Sequence, residues 1–457
     1  MPFGIKIEFS EGAILMEYVT GNCNPKDMEI ADLMLLEDGA EAKTHGMVYS
    51  IKDMGDFGFV TLRKRNGLVQ CVYEKEKSNF ELSDIMVEAS VKVTGTVKRD
   101  DRAPNGFEIH LVDLEVLSMP KEQTPVNLSK RKLGMTLETK VAMRPITLRN
   151  NRERAVFKLQ EGVVRGFREF FEKEGFTEIR TPKIVANGAE GGANIFKLDY
   201  FGKKAYLAQS PQFYKQTLVG VFEKVFEIGP VFRAEKHNTA RHLNEYIGVD
   251  MEMGFIDSFV DIIDAETGAL KHMFEVLKRD YDRELKILNI ELPNIDKIPM
   301  VRFKDAKEMV ATEYNRKIKD PYDLEPEEEQ LISKLFAEKY GSEFVFVTHY
   351  PVKKRPFYAM DDPEDPKYTL SFDLLFRGME ITTGGQRIHD YDTQVAKMIS
   401  KGLDPADFES YLMIHKYGMP PHGGLGMGLE RLCMKLMDGV NVREASMFPR
   451  DMTKLVP

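Results

Sequence analysis

Glu227-Ile228-Gly229-Pro230-Val231-Phe232-Arg233-Ala234-Glu235, continued through Lys236-His237-Asn238-Thr239-Ala240-Arg241-His242-Leu243-Asn244-Glu245-Tyr246, orders the reading of the whole 457-residue chain. An apolar strand runs into Arg233, a polar turn follows, and a second strand restarts at Tyr246 and carries Asp250 and Glu252. Arginine donates a planar fork that suits phosphate, and Tyr246 offers a ring on which adenine or a guanidinium can stack. Taken alone, the stretch reads better as a hairpin with an ion-paired loop. Outward from it, strand patterns cover 176–185, 205–207, 225–232, 246–255, 371–376 and 378–383. Helical patterns cover 155–176, 212–222, 259–288 and 327–340, and in the first Val156, Leu159, Val163, Phe167, Phe170 and Phe171 share one face, with Gly175 closing it. Strands broken by helical excursions, without strict βαβα alternation, predict an α+β domain whose antiparallel sheet is flanked by helices.

Two further stretches carry chemistry. In Gly423-Gly424-Leu425-Gly426-Met427-Gly428-Leu429-Glu430-Arg431-Leu432 the glycines imitate a dinucleotide fingerprint, but too little chain follows for the βαβ unit that signature must open. A glycine-rich strand packed close under a helix, with Arg431 aimed at a polyphosphate, fits better. Across Ser371-Phe372-Asp373-Leu374-Leu375-Phe376-Arg377-Gly378-Met379-Glu380-Ile381-Thr382-Thr383-Gly384-Gly385-Gln386-Arg387, Gly378 allows a bulge that would let Asp373 and Glu380 reach one Mg²⁺. Arg387 can pair with a substrate carboxylate. Carboxylates on a strand surface are also commonplace.

The first 120 residues read as β. Short runs at 46–51, 58–62, 68–73, 91–97 and 107–112 are rich in Val, Thr and aromatics, with Asn66-Gly67 marking a hairpin. Five such strands predict a small barrel, and the nucleic-acid-binding OB barrel and a generic one are equally compatible with them. Domains are therefore expected at 41–120 (barrel), 121–150 (hinge linker) and 151–457 (α+β domain with a small helical insert near 280–345), after an N-terminal extension, 1–40, of unassigned role. Net charge is −9, which argues against coating nucleic acid by bulk charge, although residues 130–158 are locally basic. No secretory leader, membrane-spanning segment or CxxC pair is evident, and Cys23, Cys71 and Cys433 lie far apart, as suits the cytoplasm.

In this order and at these separations the segments resemble class II aminoacyl-tRNA synthetases. Gly175-Phe176-Thr177-Glu178-Ile179-Arg180-Thr181-Pro182 looks like motif 1, Phe232-Arg233-Ala234-Glu235 to Glu252 like motif 2, and Gly424 to Arg431 like motif 3. The resemblance runs over about 40–457, including Asn441-Val442-Arg443-Glu444-Ala445-Ser446-Met447-Phe448-Pro449-Arg450-Asp451. Within the class, Gln209-Ser210-Pro211-Gln212-Phe213-Tyr214-Lys215-Gln216 and Gly384-Gly385-Gln386-Arg387-Ile388-His389 resemble the aspartyl branch; asparaginyl relatives usually lack this Pro and Lys. An aspartate side chain needs cations, and a neutral amide would leave the Lys215–Arg387 pair uncompensated. The absence of a large insert between motifs 2 and 3 resembles the archaeal and eukaryotic type.

The resemblance implies an aspartate–tRNA ligase with an OB anticodon-binding barrel. Arg233 and Arg431 would be catalytic, clamping the α- and γ-phosphates of ATP, with Glu235, Arg241, His242, Tyr246, Glu380 and Gly428 completing the nucleotide site. Asp373 and Glu380 would hold Mg²⁺. L-aspartate would meet Glu190 and Gln212 at its ammonium, Lys215 and Arg387 at its side chain, with Ser210 and Thr383 beside them. The glycine-rich loop holding Glu190 would close over the substrate. Phe59, Gln70 and Glu108 would read anticodon bases, as barrels read unstacked RNA. Pro182 would lie at a homodimer interface. Lys52-Asp53-Met54-Gly55-Asp56 departs from the usual Arg-Asp-x-Gly, so a relaxed enzyme charging both tRNA(Asp) and tRNA(Asn) is an alternative, as are an asparaginyl enzyme and a silent RNA-binding paralogue. Neither a membrane nor DNA is an expected partner.

Overall fold

The computed structural model describes residues 5–9, 12–16, 21, 27–186, 188, 194–236, 239–439 and 441–456. The chain divides into two compact units, Met1–Leu133 and Gly134–Pro457.

In the first unit a hairpin of β1 (Ile5–Phe9) and β2 (Gly12–Met16) precedes a short helix, α1 (Ile30–Leu35). Strands β3 (Glu41–Asp53), β4 (Phe57–Lys64), β5 (Gly67–Glu74), β6 (Ser90–Arg99) and β7 (Phe107–Ser118) close into a barrel in the order β3-β4-β5-β7-β6. Alternation builds it: Val69, Cys71 and Tyr73 of β5 point inward with Phe107, Ile109 and Leu111 of β7, while Gln70, Glu74, Glu108 and His110 share the outer face. The Asn66-Gly67 signal marks the β4–β5 turn one residue late: Lys64 pairs with Gly67, and Arg65-Asn66 form the turn. Helix α1 has no counterpart among the expected elements. Its Ile30 and Leu33 are buried in the barrel core, so residues 30–35 complete that core.

The second unit opens with α2 (Leu137–Ala142), α3 (Arg144–Thr147) and α4 (Asn151–Lys173). Much of the basic stretch is thus folded, with Arg144 buried and its Nη2 donating to the carbonyls of Arg443 and Ser446. The Asn150 side chain caps α4 by accepting from the N–H groups of Arg152 and Glu153. Strands β8 (Thr177–Glu178) and β9 (Ile184–Val185) stand where one strand was expected; β10 (Lys197–Tyr200), β11 (Lys203–Leu207) and helix α5 (Gln212–Phe222) follow. Next come β12 (Lys224–Phe232), β13 (Glu245–Gly254), α6 (Val260–Asp280) and α7 (Asp282–Leu288), the last two interrupted at Tyr281. The insert holds β14 (Met300–Arg302), α8 (Phe303–Glu313), α9 (Pro326–Tyr340) and β15 (Phe344–Thr348). Strands β16 (Ser371–Phe376) and β17 (Met379–Arg387), helices α10 (Tyr391–Ser400) and α11 (Glu409–Lys416), strand β18 (His422–Gly428) and helix α12 (Leu429–Leu436) complete the unit.

Eight strands form one sheet, β14-β15-β16-β17-β18-β13-β12-β8. Its six inner strands are antiparallel, as the pattern predicts, while the edge pairings β14–β15 and β12–β8 are parallel. The insert therefore does more than add helices: it supplies two strands to one edge. Leu159, Val163, Phe167 and Phe171 of α4 join Leu270, Met273 and Leu277 of α6 in the core, together with Phe226, Met251, Phe372 and Leu425 from the strands.

Candidate active site

The second unit carries an open cleft lined by polar and charged side chains. Arg233, Glu235, Arg241, His242, Tyr246, Glu380, Gly428 and Arg431 line it, and so do Ser210, Gln212, Lys215, Thr383 and Arg387. Asp373 is buried beside it rather than in its wall. Pro182 is exposed elsewhere, and Glu190 lies outside the described residues.

Antiparallel pairing brings the polar end together. Tyr246 pairs with Val231, and Arg233 follows just past the strand end, its guanidinium carbon 5.8 Å from the Tyr246 ring centre. Asn244 pins this hairpin: its side-chain N–H₂ donates to the carbonyls of Arg233 and Glu235 at 2.7 and 3.1 Å. Arg431, in the first turn of α12, donates to the Glu380 carbonyl at 3.1 Å, with the carboxylate 3.7 Å away. Two guanidinium groups thus bracket one open space, an arrangement suited to a polyphosphate.

The bulge expected at Gly378 lies further along. Arg377 and Gly378, both at positive φ (44° and 82°), make the tight turn between β16 and β17. The register shifts between Leu374 and Leu375, which pair with Thr382 and Glu380 and leave Ile381 as the extra residue. That extra residue swings Glu380 onto the face of Thr383, whose hydroxyl donates to Glu380 Oε1 at 3.0 Å. Asp373 pairs with Thr383, so both carboxylates reach the same side. Burial, reinforced by the charge of Glu380 and opposed by Arg355, pushes the Asp373 carboxyl up to about 6. Burial pushes Glu380 up as well, but Arg431 and the Thr383 hydroxyl prevail and hold it low. Two crowded carboxylates beside the cleft are donors of the kind that fits Mg²⁺ when further oxygens complete its shell. Arg355, which the sequence did not single out, already stands 2.8 Å from Asp373 Oδ1.

The other end of the cleft holds buried ion pairs. Lys215 Nζ donates to Asp250 Oδ1 at 2.9 Å and to the Leu425 carbonyl at 2.7 Å, and lies 3.4 Å from Glu252. Arg387 Nε donates to Glu252 Oε1 at 2.8 Å and its Nη2 to the Gly424 carbonyl, also at 2.8 Å. Burial favours a neutral Glu252 carboxyl, yet Arg387 and Lys215 hold it below its ordinary value. This pairing explains two glycines of β18. Gly424 and Gly426 pair with Glu252 and Asp250, and a Cβ on Gly424 would fall 2.2 Å from Glu252 Oε2. Alternate glycines facing alternate acids were the available signal, and sequence reasoning assigned Asp250 and Glu252 no partner.

Gln212 sits at the end of a polar chain. His422 Nδ1 is 2.9 Å from the Pro420 carbonyl and must donate to it, leaving Nε2 to accept from Gln216 Nε2 at 2.9 Å. Gln216 Oε1 then accepts from Gln212 Nε2 at 3.0 Å and from the Tyr411 hydroxyl at 3.2 Å. With its amide nitrogen engaged there, Gln212 offers its carbonyl oxygen to the cleft, the polarity an ammonium group requires. Burial pulls His422 down to about 4, so the ring stays neutral near pH 7.

On the barrel's outer face, Gln70 Nε2 donates to Glu108 Oε2 at 3.1 Å, His110 joins Glu108 Oε1 at 3.1 Å, and its other nitrogen meets Glu74 at 2.9 Å. Phe59 is half-buried on β4 and meets the exposed Phe57 edge-on, ring centres 6.1 Å apart. The three residues singled out by sequence thus occupy adjacent strands of one face.

No helix among the described residues is long and apolar enough to cross a membrane. Residues 42–117 match the family model for an OB-fold nucleic acid binding domain, and residues 136–452 match that for tRNA synthetases class II (D, K and N). An aspartate–tRNA(Asp/Asn) ligase of Deinococcus radiodurans is 46% identical over 92% of this chain and 96% of its own length. An aspartate–tRNA(Asp) ligase of Pyrococcus abyssi is 41% identical over 92% and 97%. Among solved structures, asparaginyl-tRNA synthetase of Pyrococcus horikoshii, complexed with asparaginyl-adenylate, superposes with a TM-score of 0.85 at 32% identity, covering 92% of this chain and 97% of that one. With the antiparallel sheet, the bracketed cleft and a family match over most of its length, the chain belongs to the class II (D, K and N) tRNA synthetases.

Proposed function

We propose that this chain is an aspartate–tRNA ligase. It activates L-aspartate with ATP to aspartyl-adenylate and transfers the aspartyl group to the 3′ end of tRNA. The observation that carries this reading is the pairing of functions along one cleft: Arg233 and Arg431 at one end, Lys215 and Arg387 at the other. The names of the curated relatives agree.

In the first step an α-carboxylate oxygen of aspartate attacks the α-phosphorus of ATP, and pyrophosphate leaves. Arg233 neutralises charge growing on the α-phosphate while Arg431 holds the γ-phosphate. Tyr246 stacks on adenine, and Glu235, Arg241, His242 and the Gly428 backbone complete the nucleotide site. Gln212 accepts from the substrate ammonium, assisted by Glu190; Lys215 and Arg387 meet the side-chain carboxylate, with Ser210 and Thr383 alongside. In the second step a hydroxyl of the terminal ribose attacks the adenylate carbonyl and AMP leaves. No covalent nucleophile is needed, because positioning and charge stabilisation suffice. Asp373 and Glu380 would hold Mg²⁺, which supplies charge neutralisation at the phosphates when bound.

Phe59, Gln70 and Glu108 read the anticodon. The pairing Lys215–Asp250 and Arg387–Glu252 leaves the aspartate pocket near neutral before substrate arrives, and the single negative charge of an aspartate side chain, a third carboxylate beside those two, is received by cations already held in place. A second reading, in which tRNA(Asn) is also charged with aspartate, is supported by the 46%-identical relative named for both tRNAs. The protein works in the cytoplasm as a homodimer formed through the segment of Pro182, where Ile184 is also exposed. Charging tRNA(Asp) and tRNA(Asn) with aspartate and with asparagine, four reactions in parallel, is the decisive experiment. Aspartate on tRNA(Asp) is the expected product; asparagine as the preferred substrate, or no charging at all, overturns the proposal.

A further inference from the structure

Helix α9 of the insert begins Pro326-Glu327-Glu328-Glu329, and its two buried glutamates face different ways. Glu328 turns into the insert: both its oxygens accept from Lys307 Nζ, at 2.8 and 2.6 Å, and Oε2 also accepts from the Glu325 N–H at the helix start. One residue on, about 100° around the helix, Glu329 turns toward the cleft. Its Oε2 accepts from Arg241 Nη2, and the same oxygen accepts from the backbone N–H of Glu380 at 3.0 Å. A single carboxylate oxygen therefore ties the loop between β12 and β13 to strand β17. The helix that carries it is seated firmly, for Gln330 packs on the turn at Gly378, where an added Cβ would come within 3.2 Å of Gln330 Cγ. Both glutamates lie in the first helical turn, where the macrodipole favours negative charge.

Arg241 lines the cleft with its side chain only one-fifth exposed. A long side chain on a loop has many rotamers, and holding one of them in advance lowers the entropy cost of binding. We propose that Glu329 is a positioning residue for the nucleotide: it sets the Arg241 guanidinium against the triphosphate and so gives the insert a part in ATP binding. The inference rests on the reading of the cleft as an ATP site and names a residue outside the motifs that support that reading.

The test is aspartate-dependent ATP–pyrophosphate exchange by the full chain carrying Glu329→Ala, Glu329→Gln, Arg241→Ala, or Glu329→Ala with Arg241→Ala. Glu329→Ala is expected to raise KM for ATP about tenfold, the scale seen when the partner that orients a binding group is removed, with kcat and KM for aspartate near wild type. Glu329→Gln keeps an acceptor oxygen and should recover most of the loss. In the Arg241→Ala background, Glu329→Ala should add nothing, because its effect runs through Arg241. An unchanged KM for ATP in Glu329→Ala overturns the proposal, as does an effect that multiplies independently of Arg241. So does a joint rise in both KM values with a lowered Tm that Glu329→Gln leaves uncorrected. If the wild type shows no exchange, or Arg241→Ala leaves KM for ATP untouched, the ATP reading itself fails and the role of Glu329 falls with it.

Discussion

The two polar surfaces of this chain use charge in different ways. In the cleft, Lys215, Asp250, Glu252 and Arg387 are buried and each already holds a partner. On the barrel, the Glu74, Glu108 and His110 side chains remain about a tenth to a third exposed, and water and salt screen them. Removing one member of the buried set leaves its partner charged and stranded, whereas removing one from the barrel leaves the others solvated. The first arrangement suits chemistry, in which geometry must be fixed before the substrate arrives. The second suits reading RNA bases, in which contacts add modestly and can be exchanged.

This contrast can be broken experimentally. Arg233→Ala and Arg431→Ala should each lower aspartate-dependent exchange by about 10²–10³-fold or more, the scale of a lost transition-state donor, with an unchanged melting curve. Lys215→Ala should remove aspartate activation and also cost about 3–5 kcal/mol in denaturant unfolding, since Asp250 loses its partner in the interior. Gln70→Ala or Glu108→Ala should reduce kcat/KM for tRNA charging by about tenfold, within the 1–3 kcal/mol typical of a base contact, while exchange without tRNA stays intact. Impaired exchange in those barrel variants would dissolve the division of labour.

Two smaller effects sharpen it. Burial pushes the Glu430 carboxyl up to about 7 although it accepts from the Ile247 N–H. A raised carboxyl favours the folded state while protonated, so its contribution is complete below the ordinary glutamate range and is lost as pH climbs through 7. Glu430→Gln should therefore gain stability relative to wild type between pH 5 and 8, as read by thermal melting. Glu74→Gln on the barrel should change unfolding free energy by less than about 1 kcal/mol.

What the sequence made legible follows from local rules. Short runs rich in Val, Thr and aromatics locate the barrel strands, and the face shared by Val156, Leu159, Val163 and Phe167 locates α4, because both depend only on near neighbours. The convergence of Arg233, Arg431, Lys215 and Arg387 on one cleft was accessible because four separate stretches resemble those of one family. Partners distant along the chain were not accessible. Arg355 meets Asp373 only after a turn outside any regular pattern, and Glu329 sits in an acidic run that reads equally well as a solvated helix start. The parallel edge strands β8 and β14 span two and three residues, too short to show periodicity. Ile381 escaped notice as the bulged residue because a bulge is a property of two strands together.

The hydrogen-bonded chain from Pro420 through His422 and Gln216 to Gln212 has an evolutionary corollary. The direction of the dipole at its far end is dictated by a main-chain oxygen, which every amino acid possesses. Exchanging the residue at 420 cannot invert that polarity, and any single exchange at 422, 216 or 212 leaves the remaining links mismatched. A lineage drifting toward another substrate would find this corner of the pocket the slowest to change, and its innovations should gather instead around the charged quartet.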